Sequence, residues 1–96
     1  MVRQLPIINS THQDLRLGIR PIEHAGLGPD YHENDYLMRP GDEWCVQAPG
    51  RNVTFSIQVG QNAIVVLVDG CDIDIVSVTE QIIGERPLLG ELPRAD

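Results

Sequence analysis

Ninety-six residues carrying seven arginines, no lysine and fourteen carboxylates give a net charge of −7 and enough chain for one domain. The arginines (Arg3, Arg16, Arg20, Arg39, Arg51, Arg86 and Arg94) are spread along the sequence. A nucleic-acid backbone or an anionic membrane surface needs such charges gathered in a stripe, so neither is expected as a partner. An apolar content of 42% is that of a globular chain, not a disordered one.

The first expected strand, 5–8, is Leu5-Pro6-Ile7-Ile8. It is too short for a signal-peptide core, and the longest apolar run, Ala63 to Val68, is far below membrane-spanning length. A cytoplasmic location is therefore expected, with Cys45 and Cys71 reduced and outside any C-x-x-C spacing. Asn9-Ser10-Thr11 and Asn52-Val53-Thr54 read as glycosylation sequons arising by chance.

Leu15, Leu17 and Ile19 alternate with Arg16 and Gly18, which predicts a half-buried strand over 15–20. A long connection, Ile22 to Asp35, follows, and loops of this length often carry function. Tyr36-Leu37-Met38 supplies a short strand. Two Pro-Gly turns, Arg39-Pro40-Gly41-Asp42 and Ala48-Pro49-Gly50-Arg51, enclose a strand over 43–48 with Trp44, Val46 and Ala48 on one side. Val53, Phe55, Ile57 and Val59 alternate with Thr54, Ser56 and Gln58, so 53–59 should bury one face and wet the other. Ala63 to Val68 is a continuous β-branched run that fits a central strand covered on both sides. Gly60-Gln61-Asn62 and Asp69-Gly70 read as hairpin turns. A last strand is expected over 73–78, with a bulge at Ile75-Val76. Seven short strands with regular turn signals predict an all-β, antiparallel sandwich, with a small barrel as the alternative. The sandwich should span 1–79, and 80–96 should form an extended C-terminal tail.

The pattern Asn9-x-Thr11, Leu15-x-Leu17-x-Ile19-x-Pro21, Tyr36-x-Met38-x-Pro40-Gly41 and Trp44-x-Val46 resembles small, uncharacterised bacterial β-sandwich proteins. In these, a first hairpin leads into a Y-x-L-x-P-G turn, in an arrangement similar to immunoglobulin-like or cupredoxin-like domains. No Cys-x-His-x-Met cluster follows Cys71, so the resemblance implies a fold and not a copper site.

Two segments hold candidate functional residues. In the long connection, His24, His32 and Glu33 combine imidazole and carboxylate groups able to ligate zinc or iron, although His24-x7-His32-Glu33 matches no established spacing. The competing readings of that loop are a solvated polar connection or a protein contact anchored by Tyr31 and Tyr36. In the tail, Ile82, Ile83, Leu88, Leu89 and Leu92 are more apolar than a disordered segment should be. Those side chains pack back on the domain or dock on another chain. Asp69, Asp72 and Asp74 lack the pattern of a calcium loop. There is no phosphate-binding glycine loop and no cofactor motif, and His12 following Ser10 and Thr11 does not by adjacency establish a nucleophile–base pair. The expected function is thus a non-enzymatic protein-binding or assembly module, acting through the loop and tail on a protein partner or on itself. A small metal- or ligand-binding domain using the histidine loop is the second expectation. Charge alone suggests a third, an acidic inhibitor of a nucleic-acid enzyme.

Overall fold

Alternating apolar residues bury one strand face each, and a pair of sheets meeting on those faces is the arrangement that satisfies them. The computed structural model describes residues 2–80 and Arg94, and among these it has seven strands. They are β1 (Val2–Ile8), β2 (Leu15–Pro21), β3 (Tyr36–Met38), β4 (Glu43–Pro49), β5 (Thr54–Gly60), β6 (Ala63–Asp69) and β7 (Ser77–Glu80). One sheet has the order β1-β4-β7 and the other β3-β2-β6-β5, so the molecule is a small all-β sandwich and not the alternative closed barrel.

Between the sheets lie Ile7, Leu17, Met38, Trp44, Val46, Ala48, Val53, Val66 and Val68, all buried. Each such aliphatic side chain contributes about 1.5–3 kcal/mol on leaving water. Trp44, Val46 and Ala48 share a face as their spacing predicts. The run in β6 is covered on both sides: Val66 and Val68 enter the core, while Val65 and Leu67 are buried on the opposite face. That outer face is roofed by the connection after β2, which is not structureless. Ile22–Leu27 forms a short 3-10 helix there, packed against β6.

Two expectations need correction. β6 does not form a hairpin with the next strand, because β7 belongs to the other sheet and pairs with β4. Residues 73–75 form a 3-10 turn, so the final strand begins at Ser77 and no bulge interrupts it. Both Pro-Gly turns also carry the chain between sheets, since β4 pairs with neither β3 nor β5. Gly60-Gln61-Asn62 does close a hairpin, in the register Gly60↔Ala63. β2 and β6 run parallel, the one parallel pair in an otherwise antiparallel set among the described strands.

Gly70 has a role that a hairpin reading misses. Its φ is 98°, and a Cβ there would collide with the main-chain carbonyl oxygen of Asn52. Both the backbone conformation and the close approach demand glycine. Gly70→Ala should therefore lower stability by about 2 kcal/mol or more, read as a fall in the urea midpoint. An unchanged midpoint would show that the 50–53 turn yields freely.

Candidate functional site: a cleft beside a buried arginine

In β2 the residues that alternate with the core set are Arg16, Gly18 and Arg20. Gly18 has no side chain, and the Arg20 guanidinium lies in the space this leaves. A Cβ at position 18 would stand 2.7 Å from Arg20 Nη1. Arg20 is only 3% exposed and Asp35 only 2%. Arg20 Nη2 donates to Asp35 Oδ1 at 2.9 Å and to the carbonyl of Tyr31 at 2.6 Å. The second oxygen of Asp35 lies 3.3 Å from His32 Nδ1. The Tyr31 ring sits 5.6 Å from the guanidinium carbon. One cation thus ties both ends of the 31–35 segment to the sheet.

The rest of the connection is fastened further along. Gln58 Nε2 donates to the Ala25 carbonyl at 2.9 Å, and Asp30 Oδ1 accepts from the amide of Gln61 at 3.2 Å. The loop is therefore part of the scaffold, and one of its margins borders a half-open cleft of about 490 Å³. Ile19, Ile73, Val76 and Val78 give the cleft an apolar wall. His24, Glu33, Asp74 and Arg94 supply polar groups around it, and Arg20 and Tyr36 also line it. Three buried nitrogens here have no hydrogen-bond partner among the described residues: Arg20 Nε, Arg20 Nη1 and His24 Nδ1. Each unsatisfied group of this kind costs about 1–3 kcal/mol. With polar side chains around an apolar wall, the cleft is suited to a ligand that brings hydrogen-bonding atoms alongside apolar surface.

The candidate residues separate cleanly. His24 and Glu33 line the same cleft, whereas the His32 ring turns to Asp35. Among the described residues no three His, Cys, Asp or Glu side chains lie together in a way that could hold a metal ion, so the set His24, His32 and Glu33 is not assembled. Tyr31 is 42% exposed beside Arg20. Tyr36 is half-buried, edge-to-face with Trp44 at 5.9 Å. Cys45 and Cys71 are both free thiols. Ile82, Ile83, Leu88, Leu89 and Leu92 lie outside the described residues.

Sequence reasoning missed three contributors. Arg20 and Asp35 form the buried pair, and the signal available was a lone arginine two residues after a glycine on the polar side of a strand. The third is Arg94. It forms an antiparallel bridge to Tyr36, its guanidinium carbon stands 4.1 Å from the centre of that ring, and Nη1 donates to the Asn34 carbonyl at 2.9 Å. Nothing in its local sequence separates it from the other arginines. No helix among the described residues is long and apolar enough to cross a membrane. No protein-family model, curated protein or solved structure matches the chain.

Proposed function

We propose that this protein is a non-enzymatic binding module that takes a short segment of a protein partner into the cleft between β2 and β7. The observation that supports this reading is the pairing of an apolar wall with the polar side chains of His24, Glu33, Asp74 and Arg94 around it. A peptide offers what such a surface lacks, namely an apolar side chain next to a carbonyl or carboxylate oxygen. The fixed loop margin favours binding too, because a rigid site loses little conformational entropy on capture.

Selection from a displayed peptide library on the full chain tests the idea. The enriched peptides should share an apolar residue beside an acceptor group. Val78→Thr, which places a hydroxyl in the wall at nearly constant shape, should weaken their binding by about tenfold, as should Val76→Thr in the same wall. Peptides that bind both variants as well as they bind the parent, with equal thermal midpoints, would overturn the proposal. A second reading is favoured by cleft size, since about 490 Å³ also fits a small molecule. In that case a compound library, and not peptides, would yield the ligands sensitive to these two variants.

A further inference from the structure

Among the described residues the two open sheets leave four edge strands, and unprotected edges invite pairing with another chain. Three of the edges carry a recognisable guard. β1 contains Arg3 and Pro6. β3 has three residues and is bridged on its far side by Arg94. β7 carries the charged Glu80 among its described residues. β5 differs from all of these. Its seven residues, Thr54-Phe55-Ser56-Ile57-Gln58-Val59-Gly60, include no charge and no proline.

The side chains of β5 sharpen the contrast. Phe55, Ile57 and Val59 stand opposite Val68, Val66 and Ile64 in the ladder, so they point to the core side of the sheet. Yet Ile57 is 51% exposed and Val59 72%. The opposing sheet has three strands against four, so it leaves this edge uncovered. The expected burial of the alternating apolar face holds at Val53 and in part at Phe55 but fails at Ile57 and Val59.

The main chain has a matching symmetry. The β5–β6 hairpin closes on the pair Gly60↔Ala63 across a two-residue loop. That closing pair is hydrogen bonded, and antiparallel alternation then directs the amides and carbonyls of Gly60, Gln58, Ser56 and Thr54 to β6. Those of Phe55, Ile57 and Val59 point outward. The outward set is symmetric about Ile57.

We infer that β5 pairs antiparallel with β5 of a second copy of this chain, about a two-fold axis through Ile57. In that register Ile57 faces Ile57, and Phe55 faces Val59 on the apolar side. Ser56 faces Gln58 on the polar side. Every outward amide meets an outward carbonyl, and the two four-stranded sheets join into one of eight strands. No charge is brought opposite a like charge within the paired strands, which matters for a chain of net charge −7. An isologous contact needs this self-complementarity, and a strand with an axis at its centre provides it. The surface is distinct from the cleft and does not depend on what the cleft binds.

Sedimentation of the full chain over a wide concentration range, with amide hydrogen exchange, decides the matter. The mass should double as concentration rises. The amides of Phe55, Ile57 and Val59 should slow in step with it, while those of Ser56 and Gln58 remain protected throughout by β6. Ile57→Lys places two ammonium groups on the axis and should weaken the dimer by at least about tenfold. Its thermal midpoint as a monomer should match the parent, since residue 57 is half exposed, and any peptide binding at the cleft should persist. Three outcomes would overturn the inference: a monomer at every concentration, a dimer indifferent to Ile57→Lys, or a dimer in which the outward amides exchange freely.

Discussion

Asp35→Asn is expected to cost about 3–5 kcal/mol of folding stability, the range found when one partner of a buried ion pair is removed. The substitution preserves shape and one acceptor oxygen, so the loss isolates charge. Without Asp35 the remaining hydrogen-bond partner of the Arg20 guanidinium is the Tyr31 carbonyl. A small domain holds a total of about 5–15 kcal/mol, so the variant should lie close to unfolding at body temperature. Urea denaturation with an unchanged slope would read the loss as a shift in midpoint. The double variant Arg20→Met with Asp35→Leu should recover much of it, because an apolar pair needs no charge compensation. A shift under about 1 kcal/mol for Asp35→Asn would mean that water, and not the carboxylate, is what keeps the guanidinium content. The loop should respond more than the core does. With the tie at Tyr31 and Asp35 gone, amides in 31–35 should exchange faster well below the unfolding midpoint.

Asn9→Ala should be the second severe change, at roughly 3 kcal/mol. Asn9 is fully buried and uses its whole amide. Nδ2 donates to the carbonyls of Gln13 and Met38, each at 2.9 Å, and Oδ1 accepts from the amide and the hydroxyl of Thr11 at 3.0 and 2.6 Å. Its main chain also bonds Asp42 and Gly41 across the turn between β3 and β4. Truncation takes the Nδ2 donor from the buried Met38 carbonyl, while the exposed Gln13 carbonyl keeps the Thr11 hydroxyl. Asn9→Asp should be worse than alanine, since it turns an oxygen toward those same carbonyls. Thermal and chemical denaturation of both variants would check the order. Equal losses for alanine and aspartate would show that the site opens to water. The bond to Met38 also carries the effect to the cleft, because Met38 ends the strand on which Tyr36 stands.

Much of this architecture was legible in the sequence. Alternation located β2, β4 and β5, and the unbroken apolar run of Ala63 to Val68 correctly marked a strand buried on both faces. Such patterns are local and reflect burial alone. Pairing is not local, which is why Asp69-Gly70 looked like a hairpin turn although its strands lie in different sheets. The same limit hid the parallel β2–β6 pair. Asn9, Thr11, Met38 and Gly41 prove to be joined in a single hydrogen-bonded knot, which gives these residues a structural part in this chain. The cleft was partly legible. His24 and Glu33 were singled out by residue type, but their neighbours Ile19, Val76 and Val78 come from distant segments whose meeting no spacing announces. His32 was drawn aside by Asp35, a contact decided by the burial of Arg20 and not by the loop.

The order in which strands join the sheets also governs when this chain can fold as it is made. β2 must wait for β6, which pairs Arg16 with Ala63, and β4 must wait for β7, which pairs Trp44 with Glu80. Each sheet mixes early and late strands, so no emerging portion of the polypeptide can complete either one. A nascent chain halted after β4 would hold the β1–β4 and β2–β3 pairs with their apolar faces largely uncovered. Such a chain depends on finishing synthesis quickly or on being shielded at the ribosome exit, a vulnerability set by topology and not by the stability of the finished protein.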